Sequence, residues 1–338
     1  MKRPEDQNKR DHGGNLDAAM RAYGGALCEW VDLSTGINPV PYPVPEISAD
    51  AWAALPRKSD IQRLLEAAAK AYNTKAPLAA FAGAQGAIQA MGFIQPAGNA
   101  RVLAPTYNEH AAALRTCGWN VTEVTKLQEL YGAGLAVVVN PNNPDGSCYT
   151  PDVLRGLASE VDMLVVDESF VDVQEELSLG SVLDEMNNVI ILRSFGKFYG
   201  LAGVRLGFAL GHEALVARLR DLNGPWPVSG PAIEIACEAL ADRVWKIRTI
   251  ERLTRDAKHL DALALNAGWS LVGGTALFRT YETPNAASAQ STLAEQRIWS
   301  RVFPYNPRWI RLGLPGDAAQ WKMLESALEV QSSSLPFR

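Results

Sequence analysis

The sequence predicts a three-layer α/β domain, in which helices cover both faces of a mostly parallel sheet, followed by a smaller α+β domain. Two observations carry this prediction. Short apolar stretches of strand length, such as residues 135–139 and 163–166, alternate with helical segments between residues 79 and 209. The 338 residues, 47% of them hydrophobic, are also enough for a large core and for more than one domain.

Three segments are predicted along the chain. They are an N-terminal arm at residues 1–45, a large domain at 46–225, and a small C-terminal domain at 226–338 that contains an interdomain helix at 231–266. The prolines of residues 39–45 hold the end of the arm in an extended conformation. In the small domain, short strands near Leu271, Leu277 and residues 309–312 are expected before a closing helix at 317–330.

Charge and composition exclude several classes of function. The net charge is −5 and the lysines and arginines are scattered, which disfavours a nucleic-acid partner. No stretch approaches roughly 18 consecutive apolar residues and no apolar signal segment is present, so we predict a cytoplasmic protein without a membrane span. The four cysteines and four histidines lack ligand spacing, so we expect reduced thiols and no metal.

A lysine, Lys197, directly follows a predicted strand, with Ser194 three residues before it and Arg205 eight after it. An ordinary surface lysine is the alternative. However, glycines and apolar residues surround this lysine, and apolar surroundings favour the neutral amine that condenses with an aldehyde. An arginine and a serine nearby can hold a phosphate. The pattern therefore indicates an aldehyde cofactor that carries a phosphate.

Four other predicted strands end in groups that suit the same cofactor. Asp167 can cap a helix or can face a pyridine nitrogen. Asn143 lies in a turn-forming segment, and Tyr107 can belong to the core or can stack on a ring. Ala84 and Gln85 open a helix, where backbone N–H groups bind phosphate. Since parallel strands end at one edge of a sheet, these groups are expected to lie together.

The order of these motifs resembles the fold type I aminotransferase superfamily, whose members use pyridoxal 5′-phosphate (PLP), over nearly the whole chain. The resemblance implies Lys197 as the Schiff-base lysine, Asp167 at the ring nitrogen, Asn143 at the 3′ oxygen, Tyr107 stacked on the ring, and Ser194, Arg205, Ala84 and Gln85 around the phosphate. Arg311 matches the C-terminal arginine that binds the substrate carboxylate, with an exposed strand arginine as the alternative.

Within this superfamily, the chain resembles the L-threonine-O-3-phosphate decarboxylases of cobalamin biosynthesis and, next to them, the histidinol-phosphate aminotransferases. Three features favour the decarboxylases: the His-Gly-Gly-Asn opening at 12–15, the segment 33–39, and Phe170 where aminotransferases have Tyr. The resemblance implies that His12, Asn15 and Gly36 lie near the substrate; a capped surface helix is the alternative for the first two. Arg301 and Arg308 are candidate second anion partners, and which arginine binds which group stays open.

Three functions follow as hypotheses: decarboxylation of L-threonine O-3-phosphate to (R)-1-amino-2-propanol O-2-phosphate, transamination of the histidinol-phosphate type, and a non-catalytic PLP-fold binding protein. The intact set Lys197, Asp167, Asn143 and Arg205 disfavours the third. Orientation of the substrate by its anion partners decides between the first two. The family implies a homodimer. Its usual Tyr-Pro-Asp motif is replaced at residues 55–58, which leaves the cross-subunit contact to the cofactor phosphate open.

Overall fold

The computed structural model describes residues 12–333, with side chains up to Val330. The strands are β1 Val31–Asp32, β2 Leu78–Ala82, β3 Asn99–Leu103, β4 Asn120–Val124, β5 Leu135–Val139, β6 Leu164–Asp167, β7 Val189–Ser194, β8 Leu206–Gly211, β9 Ser270–Thr275, β10 Phe278–Glu282, β11 Ile298–Trp299, β12 Arg301–Phe303 and β13 Asn306–Leu312. The helices are α1 Leu16–Tyr23, α2 Ala49–Ala53, α3 Lys58–Ala71, α4 Gly83–Met91, α5 Glu109–Thr116, α6 Pro151–Ala158, α7 Phe195–Phe198, α8 Glu213–Asn223, α9 Gly230–Ala241, α10 Arg243–Asn266, α11 Ala286–Glu295 and α12 Ala318–Ser333.

The contacts divide the chain into two compact units. The large unit is residues 40–253, and the small unit combines residues before position 40 with those from 254 onward. The predicted domain borders, after residues 45 and 225, remain a proposal.

The large unit is built on a seven-stranded sheet with the order β2-β8-β7-β6-β5-β3-β4. All neighbouring strands are parallel except β8, which runs antiparallel to both β2 and β7. Every residue of β5 and β6 is buried, as expected for strands that are covered on both faces. The predicted α/β fold class with a large, mostly parallel sheet is confirmed.

One edge of this sheet collects the loops that carry the predicted site. The parallel strands β3, β5, β6 and β7 end there, and so does β2. The antiparallel β8 begins at the same edge, because Ser194 at the end of β7 pairs with Gly207 at the start of β8. Residues that are far apart in the chain therefore meet at the carboxyl ends of the strands, where ligands bind in sheets of this kind.

The predicted helix at 231–266 is two helices, α9 and α10, with Asp242 between them. The backbone at Asp242 is non-helical, and its carboxylate accepts a hydrogen bond from the N–H of Trp245 at 2.9 Å. An aspartate in this position caps the helix that follows. Apolar periodicity continues across the break, so the sequence pattern did not reveal it.

The small unit contains a four-stranded antiparallel sheet with the order β12-β13-β10-β9, and a short parallel pair of β1 and β11. Asn15 caps α1 through its side chain, as in the capped helix considered for this residue. The predicted closing helix is α12, while α11 was not predicted.

Across residues 12–333, no helix has the length and apolar character needed to cross a membrane.

Candidate active site

The eight residues predicted to bind the cofactor line a single cavity of the large unit, together with Ile88, Val139, Ser169 and Phe170. They are Ala84, Gln85, Tyr107, Asn143, Asp167, Ser194, Lys197 and Arg205. The cavity encloses about 130 Å³ and opens to solvent. Tertiary folding thus brings together groups that lie up to 121 residues apart, from 84 to 205.

One end of the cavity is a cradle of backbone N–H groups and a guanidinium. Helix α4 starts at Gly83, which has a φ of 78°, and its N-cap residue has no side-chain hydrogen bond to the helix. A Cβ added at Gly83 would lie 2.7 Å from Nη2 of Arg205, and one added at Gly207 would lie 2.4 Å from the backbone N of Ala84. Only glycine permits this close approach, so a cation lies beside the open N–H groups of a helix N-terminus, which together attract an anion.

Another wall of the cavity carries Asp167, which is 3% exposed. Its carboxylate is 2.8 Å from Nε2 of the buried His110 and accepts a hydrogen bond from the N–H of Ser169 at 2.9 Å. Burial by itself would raise the pKa of Asp167, but the hydrogen bond and charge of His110 and the bonds from Ser169 lower it below its usual value. The cavity therefore presents an ionised carboxylate.

Sequence reasoning missed His110. The signal available was its place three residues after Tyr107, in the first turn of α5 and at the same sheet edge as Asp167. The contact joins residues that are 57 positions apart. Helical spacing shows which residues share a face, but it does not show which residue of another strand they meet.

The lysine lies in the short helix α7, between the buried aromatic residues Phe195 and Phe198. Its Nζ is 5.3 Å from the centre of the Phe170 ring. The ring of Phe195 stacks on Tyr199 at 4.4 Å, which fixes the position of this helix. Aromatic rings thus flank the lysine, in a cavity that polar side chains such as Asn143, Asp167 and Ser194 also line.

Asn143 is positioned by its neighbour Asn142. The side chain of Asn142 donates to Asp145 at 2.7 Å and to the carbonyl of Pro105 at 3.0 Å, and it accepts from Thr106 at 2.6 Å. These bonds attach the turn after β5 to the loop after β3. Asn143 is therefore presented to the cavity from a turn that is bonded on both sides.

The sequence neighbours of two cavity residues form a buried ionic network. Arg193 directly precedes Ser194, and Glu168 directly follows Asp167. Arg193, 2% exposed, donates to Glu168 at 3.3 Å and to Asp172 at 2.7 Å, and its guanidinium is 4.1 Å from the centre of the Tyr72 ring. Burial raises the pKa of Glu168, although Arg193 opposes the shift. Because side chains alternate along strands, Arg193 and Glu168 point away from the cavity face and join the ends of β6 and β7.

In the small unit, the predicted substrate arginine Arg311 is 6% exposed, so it is not the exposed strand arginine of the alternative. Its Nη2 donates to the carbonyl of Ser34 at 2.6 Å. Arg301 is its direct partner across the β12–β13 pair, and burial and Arg301 together lower the pKa of Arg311 to about 10. Two cations placed side by side in this way favour the binding of an anion. Arg308, in contrast, is 2.7 Å from Glu282 at the surface.

The glycines of the His-Gly-Gly-Asn opening pack against the same segment. The N–H of Gly14 donates to Oγ of Ser34 at 2.7 Å, and a Cβ added at Gly13 would lie 2.3 Å from the Ser34 carbonyl. Glycine is required at position 13 for this contact. Since Arg311 binds the carbonyl of Ser34, the opening motif and the arginine meet at one residue of the small unit.

The other predicted substrate residues are also in the small unit. Asn15 accepts from the N–H of Ala18 at 3.1 Å, which is the capping role considered as its alternative. His12 is exposed, and Gly36 is buried. The roles of His12, Asn15 and Gly36 in substrate binding remain predictions.

Replacing His110 by phenylalanine is expected to destabilise the folded chain by about 1.5–3 kcal/mol at neutral pH, the contribution of a hydrogen bond to a charged group. With its lowered pKa, ionised Asp167 stabilises the fold above about pH 4, and this contribution is lost as the pH falls through the lowered value. Without His110, burial raises the pKa, so ionisation of Asp167 destabilises the fold as the pH rises. Urea unfolding across this pH range measures the reversal.

His259→Phe is the matched control for this prediction. His259 is 3.2 Å from Glu325, but both side chains are nearly half exposed, so the loss should stay below about 1 kcal/mol. Equal losses of stability in the two variants would contradict the assigned role of His110.

The chain belongs to the family of class I and II aminotransferases, whose family model matches residues 51–328. Among its relatives, a threonine-phosphate decarboxylase from Pseudomonas aeruginosa is 42% identical over 325 residues, covering 94% of this chain and 97% of the relative. A threonine-phosphate decarboxylase from a Sinorhizobium species is 40% identical over 324 residues, with the same coverage. The crystal structure of histidinol-phosphate aminotransferase from Sinorhizobium meliloti in complex with PLP has a TM-score of 0.83 at 21% identity, covering 98% of both chains, and shows the same fold.

Proposed function

We propose that this chain is a PLP-dependent enzyme that decarboxylates L-threonine O-3-phosphate to (R)-1-amino-2-propanol O-2-phosphate, a step of cobalamin biosynthesis. One observation carries the proposal: a single cavity holds an amine, an ionised carboxylate and an anion cradle, in a chain that is 40–42% identical to two threonine-phosphate decarboxylases over 94% of its length.

The groups that line the cavity fit PLP. The cradle at Gly83 and Arg205 suits the phosphate, and Ser194 supplies a hydroxyl. The buried, ionised Asp167 suits a protonated pyridine nitrogen. We assign Lys197 to the Schiff base, Asn143 to the 3′ oxygen and Tyr107 to the face of the ring, as the resemblance implies. When bound, PLP supplies an electron sink for the bond that breaks at Cα.

Side chains of this enzyme supply the charges that PLP needs in order to act as an electron sink. The carboxylate of Asp167, kept ionised by His110, holds a proton on the ring nitrogen. Nζ of Lys197, 5.3 Å from the centre of the Phe170 ring, is the amine of the cavity that would act as a nucleophile and as a proton carrier. The anion cradle would bind the negative phosphate, and the carboxylate of Asp167 would bind the positive ring nitrogen. Because both positions are fixed by the fold, the orientation of the ring would be set before a substrate binds.

The substrate carries a carboxylate and a phosphate, and the small unit offers two adjacent guanidinium groups. Arg311 is buried and Arg301 is its strand partner. We propose that these two arginines bind the anionic groups of the substrate and orient it. Orientation decides which bond at Cα breaks, so the arginines act on reaction type as well as on affinity.

Arg311→Gln should lower kcat/KM for L-threonine O-3-phosphate by about 30-fold or more, because a desolvated charge pair contributes about 2–5 kcal/mol to binding. Binding of PLP should stay unchanged, since Arg311 is not among the residues that line the cofactor cavity. Steady-state kinetics and a PLP titration test both statements. Arg308→Gln is the control: that arginine is 59% exposed and pairs with Glu282, so kcat/KM should change less than about threefold.

The direct test of the function is incubation of the purified holoenzyme with L-threonine O-3-phosphate. We expect release of CO2 and formation of aminopropanol phosphate, with no dependence on 2-oxoglutarate. Absence of CO2 release would refute the proposed reaction. Formation of glutamate from 2-oxoglutarate with histidinol phosphate would instead support an aminotransferase, which the shared fold with a histidinol-phosphate aminotransferase makes the second candidate.

We also propose that the enzyme is a cytoplasmic homodimer, as the resemblance implies. Large apolar side chains on the surface of the large unit support a dimer: Trp52 is 71% exposed, Leu55 63% and Trp226 56%. Light scattering of the purified protein is expected to give a mass twice that of one chain.

A further inference from the structure

Two side chains at the cofactor cavity and one buried carboxylate form a continuous hydrogen-bonded chain. The hydroxyl of Tyr107 is 3.2 Å from Oε1 of Gln85, and Nε2 of Gln85 is 2.9 Å from Oε2 of Glu109. Gln85 and Tyr107 line the cavity, whereas Glu109 lies behind them with only 5% of its surface exposed. None of the roles assigned above uses the side chain of Gln85 or of Glu109.

The chemistry of these groups fixes the direction of both hydrogen bonds. The amide nitrogen of Gln85 can only donate, so Oε2 of Glu109 accepts from it. The amide oxygen then faces Tyr107, and the phenol has to donate to it. The bond to Glu109 therefore determines the orientation of the amide, and the amide determines where the hydroxyl of Tyr107 is held.

The position of Glu109 suits this task. It is the first residue of α5, where a negative charge is stabilised by the helix dipole and by open N–H groups. Gln85 lies in the first turn of α4, whose backbone forms the anion cradle. The Glu109–Gln85 bond thus joins the starts of two helices on the cavity.

We propose that Glu109 is a positioning residue that acts through the side chain of Gln85 to fix the ring of Tyr107 over the cofactor. The hydrogen bond at the hydroxyl of Tyr107 holds the far end of the ring, which restricts its swing about the Cα–Cβ bond. The proposal rests on PLP as the cofactor of this cavity. It does not depend on which substrate is used or on which bond of that substrate breaks.

The test is a double-mutant cycle of Glu109→Gln and Tyr107→Phe, read by PLP titration and by the visible circular dichroism of bound PLP. Glutamine is nearly isosteric with glutamate but no longer fixes the amide of Gln85, and phenylalanine keeps the ring while it removes the hydroxyl. We expect Glu109→Gln to weaken PLP binding about tenfold and to reduce the dichroism, the effect of losing one hydrogen bond to a charged group. In the Tyr107→Phe background, Glu109→Gln should change PLP binding less than about twofold.

Equal effects of Glu109→Gln in both backgrounds, or unchanged dichroism, would overturn the proposal, because Glu109 would then act on the fold and not through Tyr107. Gln85→Met gives the same test if Glu109→Gln does not fold, since it breaks both bonds and keeps Glu109. Glu123→Gln, the same change at an exposed ion pair with Arg115, is the control and should leave PLP binding as it is. If the unsubstituted protein binds no PLP, the proposed function itself fails, and the two failures are distinguishable.

Discussion

Lys197→Ala should lower the rate of decarboxylation by at least about 10⁴-fold, because it removes the nucleophile and proton carrier of the site. Among the residues that line the cavity, Lys197 supplies the amine. The variant should still bind PLP through the anion cradle and Asp167, but borohydride should no longer attach the cofactor to the chain. Mass spectrometry after reduction and CO2 release from L-threonine O-3-phosphate measure the two effects.

Stability should change little in this variant. The contact of Lys197 with Phe170 is a single cation–π contact at 5.3 Å, and its loss amounts to about 0.5–1 kcal/mol. Lys70→Ala, at an exposed lysine of α3, is the matched control and should keep full activity. A Lys197→Ala enzyme with substantial activity would contradict the assignment of the Schiff base.

Arg193→Met should destabilise the protein by about 3–5 kcal/mol, the largest loss of stability expected here. Methionine fills much of the same volume, but it leaves Glu168 and Asp172 as buried carboxylates without their cation. Burial already raises the pKa of Glu168 while Arg193 opposes the shift, so the pKa of Glu168 rises further without the cation. For an acid of raised pKa the folded state binds more protons, so the loss grows as the pH rises above about 4 and shrinks below it.

Urea unfolding at several pH values measures this loss, and Arg115→Met is its control. Arg115 pairs with Glu123 at 2.8 Å, but both side chains are about half exposed, so its removal should change stability by less than about 1 kcal/mol at any of these pH values. A loss in Arg193→Met that does not depend on pH would show that packing, and not charge, makes Arg193 important. Arg193→Lys keeps the charge and should recover part of the stability.

The fold was predictable where local pattern and packing agree. The apolar stretches that form β5 and β6 are buried on both faces of the sheet. Strands of this kind are apolar at every position, so their sequence pattern agrees with their burial. The break at Asp242 was not predictable from periodicity, because apolar residues recur at helical spacing on both sides of it: α9 buries Ala239 and Leu240, and α10 buries Leu253 and Ala257. An aspartate is a cap only if the backbone turns there, and that turn depends on what the two helices pack against.

The candidate site likewise has residues that the sequence predicted and residues that it did not. Lys197, Asp167, Arg205 and the loop at Gly83 could be found because each follows or precedes an apolar strand, and strand ends meet at one edge of a parallel sheet. The sequence by itself therefore determined the class of fold and the cofactor, and it predicted the residues that the structure brings together at one cavity. Those properties depend on residue type and on order along the chain.

Only the tertiary structure decided which side chains support these residues. His110 meets Asp167 across 57 residues, Arg193 meets Glu168 across 25, and Glu109 meets Gln85 across 24. These contacts have no signal in local spacing, since each depends on how one strand or helix is placed against another. The physical reason is that a hydrogen bond or ion pair requires positions within a few tenths of an ångström, which periodicity does not supply and packing does.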